Sequence, residues 1–307
     1  MSKISIFTTL TDPKQRQDCY IEALTNYLDL ADEVVVIDGS KINDSPFGYD
    51  GKKAVLVWSF HNDWPKEFDW RLIGEQFTRG YDACSGDWVI RMDSDFVFHE
   101  NDFDYIRDFL DHCDAPVACF PKRQILKHDS YAVKAIMPIA FNKKKYGKRI
   151  RLDAGGDLCQ PSLDGKEIEK SKMPVVARSV PIVVSRGLPQ KQLAKRLPHY
   201  FIKNGITYTY SSFVPVWNYE CLLRTRKVEA REFYRFARAW GRTFGKNMMG
   251  IDSEKKALEE FIKMQVGRYK NSNQITLRLE DHPAVMRETI KNLKPEQWGF
   301  DGWGNLK

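Results

Sequence analysis

The chain has 307 residues, 42% of them hydrophobic and 29% charged, with a net charge of +7. These values describe an ordinary globular protein of one large or two small domains with enough apolar residues for a core, and no run approaches the roughly 18 apolar residues of a membrane span. The six scattered cysteines form no C-x-x-C pair, which argues against a zinc site or disulfide framework, while the positive charge favours anionic partners without choosing among nucleotides, phosphosugars, nucleic acid and acidic lipid.

Residues 3–9 read as a strand and lack the features of a signal peptide, so a cytoplasmic protein is expected. Asp12-Pro13 opens a helical pattern with apolar positions at Tyr20, Ile21, Leu24 and Leu28. "EVVVI" at 33–37 is an apolar strand that stops at Asp38-Gly39-Ser40, and "AVLVWS" at 54–59 is another. A helix over 70–83 closes at Ser85-Gly86, and a strand over 87–92 follows. Residues 102–113 read as helix and 116–120 as strand. Continuous apolar strands separated by helices predict a mainly parallel sheet covered on both faces. Ligands bind such sheets beyond the carboxyl ends of the strands.

From about residue 121 the alternation weakens. "KKKYGKRIR" at 143–151 is strongly basic, and 153–165 is rich in Gly, Pro and Asp and reads as loop. Residues 229–244 form an amphipathic helix with Phe233, Phe236, Trp240 and Phe244 on one stripe and Arg231, Arg235, Arg238 and Arg242 on another. The aromatic stripe is most simply core, while a basic amphipathic helix also suits peripheral membrane contact. Residues 255–269 read as a further helix.

The segment "DWVIRMDSDFVFHE" raises a chemical question: two carboxylates, Asp93 and Asp95, interrupt strand-like apolar runs. Carboxylates so close to buried strands must be solvated, paired or metal-bound. An Asp-stabilised turn is the plain explanation. The metal explanation is that Mg²⁺ or Mn²⁺ takes carboxylate oxygens and keeps its other positions for water or phosphate. Asp102-Phe103-Asp104 has the same spacing but precedes a helix, where negative charge is simply favourable. Asp38 ends a neighbouring strand and could accept from a base or ribose. Arg71 or Arg79, on the helix preceding the Asp pair, could reach a phosphate, although a solvated charged face is the plainer explanation of either.

Ile37-Asp38-Gly39-Ser40, Cys84-Ser85-Gly86-Asp87-Trp88 and Asp93-Ser94-Asp95, in this order, resemble the "DDGS", "A-x-G-[DE]-[YW]" and Asp-x-Asp motifs of family 2 glycosyltransferases with a GT-A fold. The likeness covers about residues 3–100. Ile37 stands where the family has its first Asp, and Gln76-Phe77-Thr78 where it has Ala-Arg-Asn. The resemblance implies an α/β, Rossmann-like GT-A sheet flanked by helices, with a catalytic domain over 1–225 and a mainly helical extension over 226–307. It implies a metal-dependent, inverting hexosyltransferase-type enzyme that takes a nucleotide diphosphate sugar as donor and a carbohydrate or glycolipid as acceptor. Asp38, Arg71, Asp93 and Ser94 would contact the donor; Asp93 and Asp95, with Asn218 as a candidate third ligand, would hold Mn²⁺ or Mg²⁺. An inverting transfer needs a general base facing the acceptor. Asp157, after two glycines, is the first candidate and Asp153 the second, with a solvated turn the plain alternative for both.

Two other readings compete. A sugar-phosphate nucleotidyltransferase would need a Gly-rich basic loop after the first strand, where this chain has Thr8-Thr9-Leu10-Thr11-Asp12-Pro13. A basic nucleic-acid or surface-binding protein would explain 143–151 but leaves the Asp pair without a role, and no nucleic-acid-recognition motif is present.

Overall fold

The computed structural model describes residues 1–40, 54–58, 67–152, 160–169, 172–178, 183–186, 200–203, 206–209, 213–220, 222–245, 248–271 and 275–301. Asp153 and Asp157 lie outside the described residues.

The first half is a parallel sheet. β1 (Ile4–Leu10), β2 (Glu33–Asp38), β3 (Ala54–Trp58) and β4 (Trp88–Asp93) lie in the order β3-β2-β1-β4. β-Branched runs suit strands buried on both faces, and Val34 to Ile37 are each at most 2% exposed. Successive residues feed opposite cores: Ile4, Ile6, Val34 and Val36 join one, Phe7, Val35 and Ile37 the other.

The expected first helix is broken in two, α1 (Pro13–Arg16) and α2 (Tyr20–Leu30). Gln17 takes a left-handed conformation and its N–H bonds back to Lys14 and Pro13, ending α1. The buried face of α2 is Tyr20, Ala23, Leu24, Tyr27 and Leu30, whereas Ile21 is 60% exposed. The 3.6-residue period carries the face through 20, 23–24, 27 and 30, which leaves Ile21 pointing outward.

α3 (Trp70–Ala83) starts where the Asp69 carboxylate accepts from the N–H groups of Arg71 and Leu72 at 2.9 and 3.2 Å. It packs tightly on β1: a Cβ on Gly80 would sit 2.3 Å from Phe7 Cδ2. Gly86 is held against β1 in the same way, since its Cβ would lie 2.6 Å from Ser5 N. Asp87 accepts from Lys3 N–H at 3.0 Å. The Gly-Asp pair therefore seats the start of β4 against β1.

After β4 come β5 (Phe96–Val97) and α4 (Phe103–Asp111). Asp102 makes no capping bond to α4; it is fully buried in a two-point pair with Arg178 at 2.6 and 2.9 Å. β6 (Val117–Lys127) and β7 (Ser130–Asn142) then form a long antiparallel hairpin. The sequence reading took only 116–120 as strand, because Lys122, Arg123 and Gln124 break the apolar pattern. β7 pairs antiparallel with β4, so the sheet is parallel in its first half and mixed beyond it.

The basic run 143–151 is largely engaged within the fold. On α5 (Lys143–Tyr146), the Lys143 ammonium donates to the carbonyls of Tyr81, Asp82 and Cys84 at 2.6–3.0 Å, neutralising the negative end of α3. Lys144 pairs with Asp87, Lys145 with Asp114, and Arg149 with Asp164 at 2.6 Å.

Two small antiparallel sheets follow, one of β8 (Ile150–Arg151), β9 (Ser162–Leu163) and β10 (Lys166–Glu167), the other of β11 (Val183–Arg186), β12 (Tyr200–Lys203) and β13 (Ile206–Thr209). β14 (Val216–Asn218) returns to the main sheet between β6 and β5. α6 (Arg226–Phe244) packs on α7 (Glu254–Asn271), with Phe233, Ala237, Ala257 and Phe261 in a third core. β15 (Ile275–Thr276) joins the edge of β7, and α8 (Ala284–Lys291) and α9 (Trp298–Asp301) complete the described chain. This is an α/β, Rossmann-like sheet flanked by helices, with a helical C-terminal region. No helix among the described residues is long and apolar enough to cross a membrane.

α6 is tied to the start of α3. Trp70 N–H donates to Thr243 Oγ1 at 2.8 Å and Arg242 Nε to the Phe68 carbonyl at 2.7 Å, while Arg238 pairs with Glu67. Arg231 and Arg235 pair with Glu232. The arginine face that suggested a membrane surface thus holds intramolecular partners.

Candidate functional site

The carboxyl ends of β1, β2 and β4 open into a cavity of about 520 Å³ whose far wall is α6 and α7. Thr9, Leu10 and Thr11 come from β1 and its exit, Ile37 from β2, and Asp93, Ser94 and Asp95 from the end of β4. The two sequence-selected carboxylates and the serine between them therefore share one cavity, joined by Asn218 from β14.

Two distant segments, α2 and the end of β14, hold the Asp93-Ser94-Asp95 turn. The Tyr27 hydroxyl lies 2.6 Å from the Asp93 carbonyl and 2.8 Å from that of Phe96, sharing its proton across the turn. Burial, reinforced by Asp95 and Asp93, pushes this phenol well above its ordinary range, so it remains a donor. The neighbouring Asn26 amide clasps the backbone of Phe98, donating to its carbonyl and accepting from its N–H, both at 2.8 Å. From the other side, Tyr219 N–H donates to the Asp95 carbonyl at 2.8 Å. The pairing of β14 with β5 sets Asn218 opposite Phe96, one residue from Asp95. Asn218 is 1% exposed, and its side-chain oxygen accepts from Glu220 N–H at 2.9 Å.

Asp95 carries the strongest electrostatic signature. Burial, then the negative charges of Glu220 and Asp93, push its carboxyl up to about 8, against the opposing pull of Lys122. Lys122 lines the cavity with its ammonium 4.8 Å from the centre of the Phe96 ring. Four cationic side chains (Arg16, Lys122, Arg224 and Arg235) face six carboxylates (Asp18, Asp93, Asp95, Glu220, Glu229 and Glu232) around the cavity. With Asp95 protonated the surplus is one negative charge; ionising it makes the surplus two, the charge of one divalent cation. Among the described residues no three His, Cys, Asp or Glu side chains converge as a closed metal cage. Asp93 and Asp95 are thus a two-carboxylate donor set that suits Mg²⁺ or Mn²⁺ when phosphate or water supplies the other oxygens.

Arg71 does not line this cavity. Its side chain is 72% exposed and pairs with Asp69, because the residues of α3 that face the cavity are Trp70, Ile73, Gln76 and Phe77. Asp38 closes β2 opposite Leu10; it is fully buried, and its Oδ1 accepts from Ser40 N–H at 2.8 Å. Asp38 thereby shapes the strand exit next to Ile37, which does line the cavity.

Sequence reasoning missed Asn26 and Tyr27, Lys122, Glu220 and an ion-pair group beneath α6. In that group Arg224 bonds Asp18 at 2.7 Å and Glu229 at 3.4 Å, while Arg16 pairs with Asp18 at 3.2 Å. A polar Asn-Tyr pair on the apolar face of α2 is the one local signal that pointed this way.

No family model matches the sequence, and no curated protein does. Among solved structures, S. aureus TarS residues 1–349 is 15% identical with a TM-score of 0.34, covering 46% of this chain and 47% of that one. Its complex with UDP-GlcNAc aligns over 88% of this chain and 73% of that one, at 13% identity and a TM-score of 0.38. Glucosyl-3-phosphoglycerate synthase from Mycobacterium tuberculosis, with Mn²⁺, UDP and phosphoglyceric acid, is 20% identical over 38% of this chain and 42% of that one, with a TM-score of 0.27. A nucleotidyl transferase from Methanothermobacter thermautotroptrophicus matches at 14% identity over 45% of this chain and 70% of that one, with a TM-score of 0.30. The chain spans about half the length of the first structures it matches. Likeness this slight does not speak for the chemistry, which rests on the chain's own residues. Its sheet order, with carboxylates at the ends of β2 and β4, is that of an α/β, Rossmann-like fold.

Proposed function

We propose that this protein is a metal-dependent, inverting glycosyltransferase that moves a sugar from a nucleotide diphosphate sugar to an acceptor hydroxyl of a glycan or glycolipid. The observation that carries the reading is the Asp93-Ser94-Asp95 turn, set at a strand end in a cavity lined by six carboxylates and four cationic side chains. Bound between Asp93 and Asp95, with Asn218 adjacent, a divalent cation would supply Lewis-acid neutralisation of the departing diphosphate. Asp38 would shape the base or ribose seat, and Ser94 would face the phosphates. Lys122 would add a positive charge beside the leaving group. The acceptor hydroxyl gives its proton to a carboxylate; Asp157 and then Asp153 remain the proposed bases, and Glu220 is a third candidate within the cavity. Residues 1–225 would form the catalytic domain and 226–307 an extension that walls the cavity.

The negative surplus in the cavity and the internal pairing of the basic run both disfavour a nucleic-acid reading. Thermal unfolding with UDP, GDP, CDP, ADP and dTDP, with and without Mn²⁺, tests the proposal on wild type and Asp95→Asn. One nucleotide at about 100 times its Kd should stabilise the wild type by about 2.7 kcal/mol, only with metal. Asp95→Asn should lose that shift, yet its metal-free form should melt above metal-free wild type because a carboxylate crowded by Glu220 and Asp93 is gone. A folded wild type that no nucleotide stabilises would overturn the transferase reading.

A further inference from the structure

α6 carries a row of rings that extends from the cavity to the protein surface. Phe233 and Phe236 stack with centroids 5.9 Å apart, Phe236 and Trp240 at 6.3 Å, and Trp240 and Phe244 at 4.5 Å. Phe233, Phe236 and Trp240 line the cavity, whereas Phe244 is 45% exposed. Over this interval the helix rises about 16 Å, longer than any single base or sugar ring.

Two buried polar atoms belong to residues that line the same cavity. The Trp70 indole N–H and the Gln265 side-chain oxygen have no hydrogen-bond partner among the described residues. Both residues line the cavity, at 8% and 4% exposure, and Trp70 packs edge-on against Phe236 at 5.1 Å. One is a donor, the other an acceptor, and both are uncharged; a hydroxyl group can satisfy either. Buried polar atoms without partners are costly, so a hydroxyl-bearing ligand here would gain twice. The charges flanking the row are already engaged: Arg235 with Glu232, Arg238 with Glu67, and Arg242 with the Phe68 carbonyl.

We propose that the aromatic row of α6, with Trp70 and Gln265, is the acceptor subsite and takes an extended, neutral glycan chain. The sugar rings would stack along Phe236, Trp240 and Phe244. The end of the chain would bond Trp70 and Gln265 and present its hydroxyl toward the Asp93-Asp95 turn. A nucleobase would occupy one ring and leave the rest of the row unused. The assignment rests on the transferase reading, but it can fail separately.

The test is a tryptophan-fluorescence titration of the full chain, holding Mn²⁺ and the stabilising nucleotide, with neutral oligosaccharides from monosaccharide to hexasaccharide. Affinity should rise with chain length. Trp240→Ala and Phe244→Ala should each weaken it by about five- to tenfold, with the nucleotide-dependent thermal shift unchanged. Gln265→Leu should weaken it while leaving the protein at least as stable, since it removes an unpaired buried oxygen. Binding that does not depend on length, equal binding by the variants, or no oligosaccharide binding at all would overturn the proposal. So would loss of nucleotide affinity in Trp240→Ala, which would make the row a base seat, or binding of phosphatidylglycerol vesicles through Phe244 in place of any glycan. If wild type shows no nucleotide shift, the transferase reading itself has failed.

Discussion

Replacing Tyr27 with Phe removes one oxygen and nothing else, yet that oxygen closes the turn between Asp93 and Asp95. Its contacts of 2.6 and 2.8 Å reach two carbonyls, those of Asp93 and Phe96, the latter in a residue only 2% exposed. Losing one buried hydrogen bond costs about 1 kcal/mol, and leaving an acceptor unpaired costs about 1–3 kcal/mol more. Tyr27→Phe should therefore destabilise the fold by about 2 kcal/mol, or about 3 °C in Tm for a chain of this length. The functional effect should exceed this, because the turn sets both carboxylates and a misplacement of about 1 Å can cost about a hundredfold in rate. Tyr219→Phe is the matched control. It deletes an equally buried hydroxyl, 2.8 Å from His282 Nδ1, but leaves the backbone bond from Tyr219 to Asp95 in place. Calorimetry of both variants, with Mn²⁺ and the stabilising nucleotide added and withheld, separates stability from site geometry. Similar losses of Tm with weaker metal-dependent stabilisation only in Tyr27→Phe are expected. Equal metal-dependent stabilisation in the two variants would refute the positioning role of Tyr27.

Two further outcomes are expected. His282 is fully buried between the Tyr219 hydroxyl and the His128 carbonyl, both at 2.8 Å, and burial pulls it down to about 4. The unfolded chain takes up this proton near pH 6.5 and the folded one only near 4, so stability should be full above about 6.5 and fall between the two. The loss approaches about 3 kcal/mol at the acid end, and chemical denaturation of wild type and His282→Gln across pH 4–7 should show a shallower slope in the variant. Gly86→Ala drives a methyl to 2.6 Å from Ser5 N and Oγ, where backbone cannot yield cheaply. It should cost about 2–3 kcal/mol, measured by urea denaturation, whereas alanine at Gly245, with no atom within 4 Å of the added Cβ but a φ of +65°, should cost about 1 kcal/mol.

How far the sequence reached depends on the range of each interaction. "EVVVI" and "WVIRM" specify buried strands because their β-branched and apolar side chains suit a two-sided core, and each strand ends on a carboxylate, Asp38 or Asp93. Gly86 and Asp87 were legible as a motif, and their physical role is local: close approach of β4 to β1 and a bond to Lys3 N–H. The α6 stripe was also legible as a period.

The hairpin of β6 and β7 was not legible, because Lys122 to Gln124 interrupt the apolar pattern with side chains whose facing is set by strand partners far along the chain. Arg71 and the other polar residues of α3 share one helix, and only docking against β1 and α6 decides which of them face the cavity. The same applies to the arginines of α6, which look like an interfacial face until Glu67, Phe68 and Glu232 are brought to meet them. The carboxylate turn shows the division most directly. Its residues are named by three consecutive letters, but its geometry is fixed by Asn26, Tyr27, Asn218 and Tyr219 from opposite sides. Local periodicity carries the strands and the charges that end them; the partners that hold those charges in place are chosen by topology, which alone brings distant segments within hydrogen-bonding distance.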